Sequence, residues 1–172
     1  MKRIFLSLGS NLGSRLNNII ECINLIKKNS ELILIDTSSI YESKPMYNTN
    51  QPNFLNAVVL IESNIKPLQL LNELKKIESY LGRSIKNSHN KPREIDIDIL
   101  TYGNEIISFD ELRIPHPRST ERIFVLKPWT DIRPNYKLPG NEKTISSLLS
   151  LLEVKKNDIK LYKKNICRKH TI

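Results

Sequence analysis

At 172 residues with 39% apolar side chains, the chain can build one domain with a sizeable core, and its composition excludes a chain that is disordered as a whole. The net charge is +9, of which residues 155–172 carry +6, so the body is only mildly basic. No stretch reaches membrane-span length, and Met1-Lys2-Arg3-Ile4-Phe5-Leu6-Ser7-Leu8-Gly9 is too short an apolar run for a signal peptide.

A cytoplasmic protein without a membrane partner is therefore expected. Cys22 and Cys167 show no metal-ligand spacing and read as reduced thiols. Tyr162 is the tail's only aromatic residue, so the tail offers no stacking platform for nucleic acid. The reading is a domain over residues 1–154 and a poorly ordered, solvated basic tail over 155–172.

In chain order, residues 2–8 read as a strand, and Gly9-Ser10-Asn11-Leu12-Gly13 as a tight turn. Ser14 is placed to cap a helix whose apolar face is Leu16, Ile19, Ile20, Ile23 and Ile26. The turn is not a P-loop, because the Lys-Ser/Thr ending is absent. Residues 32–41 read as a second strand, 42–53 as a long polar loop and 54–63 as a third strand. Pro67 opens a second helix with the stripe Leu68, Leu71, Leu74, Ile77 and Leu81, stopped by Gly82. A basic loop over 83–93 follows, then a strand, a Gly103-Asn104 turn and a short return strand over 105–108.

The order β-α-β-β-α-β is that of an α+β, ferredoxin-like core with a mainly antiparallel sheet. Beyond it, Ile114-Pro115-His116-Pro117 is held extended by its prolines. Ser119 or Thr120 caps a short helix that is expected to end at Pro128-Trp129. Thr144 caps a last helix with Ile145, Leu148, Leu149 and Leu152 inward.

The chemistry concentrates in Lys91-Pro92-Arg93-Glu94-Ile95-Asp96-Ile97-Asp98-Ile99-Leu100. Strict alternation from Ile95 marks a strand with unlike faces. Asp96 and Asp98 share one face, with Cα atoms ~6.5–7 Å apart. Two carboxylates that close repel, and a divalent cation relieves the repulsion; Mg²⁺ uses one or two carboxylates together with substrate phosphates. Taken alone, Asp-x-Asp is also an ordinary solvated strand face.

Glu78, Arg83, Arg93, His116 and Arg122 add an acid and four cations suited to a metal–polyphosphate site. Phe54, Asn56 and Phe124 suit a flat heterocycle stacked between rings and read along its edge. Each has a plainer reading: a core ring, a backbone-bonding amide, a solvated helix end, a structural histidine. No side chain stands out as a general base.

The blocks Leu6-Ser7-Leu8-Gly9-Ser10-Asn11-Leu12-Gly13, Tyr41-Glu42-Ser43, Gln51-Pro52-Asn53-Phe54-Leu55-Asn56-Ala57, Leu81-Gly82-Arg83, the Asp-bearing segment and Ile114-Pro115-His116-Pro117-Arg118 through Leu126 occur in one order. With them the chain resembles the 6-hydroxymethyl-7,8-dihydropterin pyrophosphokinase family from about residue 4 to residue 150.

The resemblance implies a three-layer α/β/α sandwich and transfer of pyrophosphate from ATP to the pterin hydroxymethyl group, releasing AMP, in folate synthesis. It implies two Mg²⁺ ions on Asp96 and Asp98, with Arg83 and Arg93 also catalytic. It implies a pterin pocket from Ser43, Lys44, Pro45, Met46, Phe54, Asn56 and Phe124. For ATP it implies Glu78, Arg83, Arg93, Ile99, Leu112, Arg113, Ile114, His116 and Arg122. A monomer is expected, with the segment between Arg83 and Arg93 as a lid. Lys44, Lys75, Asn90 and Lys91 depart from the family's common pattern. The alternative is an RNA-binding ferredoxin-like module with a basic tail, which the absence of aromatic RNP signatures disfavours.

Overall fold

The computed structural model describes residues 1–46, 50–83, 91–153 and 158–164. Its elements are β1 (Lys2–Ser10), α1 (Arg15–Lys28), β2 (Leu32–Thr37), β3 (Ile40–Ser43), β4 (Phe54–Ser63), α2 (Pro67–Tyr80), β5 (Asp96–Tyr102), β6 (Ile107–Ser108), β7 (Arg113–Ile114), α3 (Ile123–Ile132), α4 (Ile145–Ser150) and β8 (Ile159–Lys163). Among the described residues, one antiparallel sheet runs β5-β1-β4-β3-β8, with β2 also paired to β4.

The sheet has two buried faces because its long strands are apolar at nearly every position. Leu6, Leu8, Leu55, Ala57, Val59, Ile97 and Ile99 face α1 and α2, with Ile19, Ile26, Leu70 and Leu74. Phe5, Val58, Leu60 and Leu100 face α3 and α4, with Trp129, Ile132, Ile145 and Leu148. That is the expected α/β/α sandwich. It leaves no open aromatic sheet face of the kind an RNA-binding module presents. Phe5 is packed against Trp129 and Tyr136, with ring centroids 5.0 Å from each.

Several elements differ from the sequence reading. The second strand is broken into β2 and β3. At the break, the Ser38 N–H still donates to Val58 O, but the Ser38 hydroxyl accepts the Val58 N–H (2.9 Å) and Asp131 accepts the Ser39 N–H (3.0 Å), so side chains take over part of the ladder there. In α2, Leu70 takes a core position and Leu68 is exposed. At 3.6 residues per turn, Leu68 lies about half a turn from Ile77 around the helix. Gly103 turns the chain with φ +55, but the following strand β6 pairs with β7, not β5. Ser14 stands at the α1 N-cap without a side-chain cap bond, whereas Thr144 caps α4 by accepting the Ser147 N–H.

Proline 128 does not end its helix: α3 runs through it to Ile132. An internal proline costs ~3 kcal/mol, but the turns after it bury Trp129 completely and Ile132 almost so. Packing of that indole therefore outweighs the proline. Trp129→Ala is expected to cost about 3–5 kcal/mol, readable by urea unfolding; a loss under about 1 kcal/mol would contradict this account.

The tail is also partly structured. Residues 159–163, expected in a solvated end, add β8 to the free edge of β3. Hydrogen-bond demand at an open edge explains the pairing better than side-chain burial does, since Leu161 and Tyr162 stay about half exposed.

Candidate active site

The sheet register builds the site. Gly9 of β1 lies between Asp96 of β5 and Asn56 of β4, and Ser7 lies between Asp98 and Val58. Cross-strand partners share a face, so Asp96, Asp98 and Asn56 point to the same side. Phe54 and Ser43, paired with each other, join them on that side. At Gly9 the backbone leaves the row open, so acid and amide flank one hollow. It forms a cavity of about 300 Å³ lined by Ser7, Gly9, Ser43, Lys44, Met46, Phe54, Asn56, Lys75, Arg83, Arg93, Asp96, Asp98, His116, Arg118, Arg122 and Phe124.

Arg83 is aimed by the end of α2. Gly82 takes φ +98, its N–H donates to Ser79 O, and the Arg83 N–H donates to Glu78 O. This Schellman arrangement stops the helix and turns Arg83 inward. Its guanidinium donates to Glu78 and to Asp96 Oδ1 (2.6 Å). Glu78 is buried and also accepts the N–H of Ile97 (2.7 Å), on the β5 edge where no strand pairs among the described residues. Burial raises its carboxyl above the ordinary value, against the pull of Lys75 and Arg83.

Arg93 is held by its main chain. Asn11 N and Leu12 N donate to its carbonyl (both 3.1 Å), and its N–H donates to Asn11 Oδ1 (2.8 Å). Its guanidinium donates to Asp96 Oδ2 (2.7 Å). The glycine-bounded turn after β1 therefore positions an active-site arginine. Sequence reasoning treated that turn as merely structural, and only the fold brings residue 11 beside residue 93.

Asp98 faces another pair: Arg122 Nη1 at 3.6 Å and His116 Nε2 at 3.9 Å. Burial, then the Asp96 charge, raises the Asp98 carboxyl; His116 and Arg122 only partly offset this. Burial lowers His116, so its imidazole tends to the neutral form. Arg122 is itself buried, and its Nε has no hydrogen-bond partner among the described residues. A buried guanidinium with a spare donor beside this acid calls for an anion.

At the other end, Asn56 Nδ2 donates to Ser43 Oγ (2.9 Å), and Phe54 and Phe124 line the cavity. Arg122 lies 5.6 Å from the centre of the Phe124 ring. Pro45 lines an adjoining hollow with Met46 and Phe124. Ile99, Leu112 and Arg113 line another, which shares Lys75, Asp98 and His116 with the main cavity. Ile114 is buried and pairs with Ile107, behind that wall. Ser7, Gly9, Lys75 and Arg118 join the lining although the sequence reading gave them no site role. Residues 84–90, most of the expected lid and including Asn90, lie outside the described residues.

A polar, cation-rich end and an aromatic, amide-bearing end thus meet over one acid pair. The family model for 7,8-dihydro-6-hydroxymethylpterin-pyrophosphokinase (HPPK) matches residues 5–134. The chain belongs to the HPPK family. It is 39% identical over 138 residues to a Haemophilus influenzae 2-amino-4-hydroxy-6-hydroxymethyldihydropteridine pyrophosphokinase, covering 80% of this chain and 86% of that protein. It is 46% identical over 144 residues to the Pneumocystis carinii folic acid synthesis protein fol1, covering 84% of this chain but 19% of that protein. The chain thus spans about a fifth of the length of that longer relative. Among solved structures, an HPPK-DHPS in complex with substrates superposes with TM-score 0.72 at 18% identity, over 93% of this chain and 46% of that one. That likeness is one of fold.

Proposed function

We propose that this HPPK chain transfers the pyrophosphoryl group of ATP to the hydroxymethyl oxygen of 6-hydroxymethyl-7,8-dihydropterin, releasing AMP. The observation that carries the reading is one cavity in which arginine and lysine side chains, two carboxylates and an aromatic–amide slot converge, in a chain of this family. The pterin hydroxyl oxygen attacks the β-phosphorus and gives its proton to water, while the bond from that phosphorus to the oxygen shared with the α-phosphate breaks and leaves its electron pair on AMP. Both terminal phosphates move together and AMP leaves.

Phe54 and Phe124 clasp the pterin, and Asn56 reads its edge. Arg83, Arg93, His116 and Arg122 take the triphosphate, and the hollow beside Ile99, Leu112 and Arg113 takes the adenosine. Glu78 holds Arg83 and the β5 edge in place.

Asp96 and Asp98 are the proposed Mg²⁺ ligands, for two ions. The donors fit: hard oxygens, two acids on one strand face, and one of them raised by burial and then by the charge of the other. Among the described residues no group of three or more acid, His or Cys side chains is arranged to hold a metal, so an ion on these two acids would complete its shell with phosphate oxygens and water. Both Asp96 oxygens are occupied by arginines, so ion binding there would free Arg83 and Arg93 for phosphate. Bound Mg²⁺ supplies charge neutralisation along the phosphate chain.

The same proposal takes residues 1–154, with β8 joined to their sheet, as the pyrophosphokinase domain of a cytoplasmic monomer with no nucleic-acid partner. Among the described residues no helix is long and apolar enough to cross a membrane.

The test is product analysis. Incubation with ATP, Mg²⁺ and the hydroxymethyl pterin yields AMP only when the pterin is present; ADP as the sole nucleotide product overturns the proposal. Asn56→Ala is expected to raise the pterin KM about 10- to 100-fold, the effect of ~1–3 kcal/mol from an unmet buried hydrogen bond. The ATP KM should change little; an equal rise in both constants would contradict the edge-reading role.

A further inference from the structure

We infer that β8 is a positioning element of the pterin pocket, not an idle tail. The inference rests on the proposed pterin reaction. It starts from an element beyond the family match, which ends at residue 134, and within what the sequence presents as a solvated basic end.

Strand β3 is only four residues long, yet all four are buried. One edge pairs with β4 and the other with β8, through Ser43↔Ile159, Glu42↔Lys160 and Tyr41↔Leu161. Without β8 those β3 backbone groups would form an open sheet edge at the strand's last residue, where fraying concentrates. That last residue is Ser43, and its hydroxyl accepts the side-chain N–H of Asn56. Beyond it the chain enters Lys44 and Met46, which line the cavity. A displacement at the end of β3 therefore reaches the pterin-edge amide in one hydrogen bond.

Side chains add a second tie. Glu42 is buried and receives Lys160 Nζ at 2.8 Å and Arg15 Nη1 at 2.9 Å. Arg15 also donates to Asn53 O at 2.7 Å, the residue before Phe54. The Lys160 hydrogen bond, aided by Arg15, holds the Glu42 carboxyl below its ordinary value. Lys160, Glu42, Arg15 and Asn53 thus lead from β8 to the start of the strand that carries the aromatic and the amide. Asp158, just before β8, lines the adjoining hollow with Ser43 and Phe124. Among the described residues, the strand pairings and the ion pair of β8 involve neither Asp96, Asp98 nor the arginines paired with them, so its influence should fall on the pterin end alone.

The test measures binding of 6-hydroxymethyl-7,8-dihydropterin and of ATP separately, in the full-length chain. A Lys160→Pro/Leu161→Pro double variant removes two adjacent backbone donors, so β3 loses a ladder bond whichever of the two faces it. Its pterin Kd is expected to rise about three- to tenfold, the range for one weakened hydrogen bond, with ATP Kd within about twofold. Lys160→Glu, which leaves the backbone intact, should raise it about twofold, as an ion pair with a largely exposed lysine allows; Lys160→Arg should not raise it. A lower melting temperature with unchanged pterin affinity would make β8 purely structural and overturn the inference. Equal weakening of ATP would overturn it too. If the parent chain binds no pterin, the proposed function falls and this inference with it; if the parent binds and the variants match it, this inference alone falls.

Discussion

Asp98→Asn is expected to reduce AMP release at least about a thousandfold, ~4 kcal/mol of transition-state stabilisation. Asparagine keeps the shape of the side chain and one oxygen but loses the charge that a hard cation requires. The same substitution should leave the metal-free protein at least as stable as the parent. Burial and the neighbouring Asp96 raise the Asp98 carboxyl, so its ionised form is penalised in the folded state. The sign follows from linkage: a folded pKa above the unfolded one gives stability that is present at low pH and is lost as pH rises through the folded value. In chelator, the parent's melting temperature should therefore fall relative to that of Asp98→Asn as pH rises above the ordinary carboxylate range. Near-parental turnover would remove Asp98 from the metal site. A variant that melts well below the parent at neutral pH would show that the acid is a structural ion-pair partner of Arg122.

Arg93→Ala is expected to lower kcat about 10²- to 10³-fold, the usual effect of deleting one preorganised donor to developing charge. The pterin KM should stay within about threefold. The separation is possible because the contacts that hold residue 93 in place are main-chain contacts: two N–H groups onto its carbonyl, and its own N–H onto Asn11. Alanine preserves all three. Steady-state kinetics in both substrates decide the matter, and a change confined to pterin affinity would contradict the placement of Arg93 at the phosphates.

Much of the core was legible from periodicity. The β4 bounds coincide with the predicted third strand, the α2 stop at Gly82 is where a left-handed glycine belongs, and Thr144 caps α4 as expected. These are local preferences, decided within a few residues by pattern and cap chemistry. The errors share a cause. Pro128 inside α3, the broken second strand, Leu70 in place of Leu68 and the paired β8 each depend on what lies across space from them. A breaker inside a helix is tolerated when Trp129 is buried beyond it, and a basic segment becomes a strand when an unpaired edge accepts it.

The site divides along the same line. The residue types and their order were present in the chain as written: an Asp-x-Asp strand, arginines on both sides of a loop, a Phe-x-Asn step and a histidine between prolines. Alternation alone put Asp96 and Asp98 on one face, because neighbours two apart along a strand always share one. Only the folded sheet could bring Asn56 beside Asp96 across Gly9, set Asn11 under Arg93, or tie Ser43 to β8. Those pairings join residues 40 to 116 positions apart, and no local preference encodes them; they follow from strand register, which the two buried faces fix together.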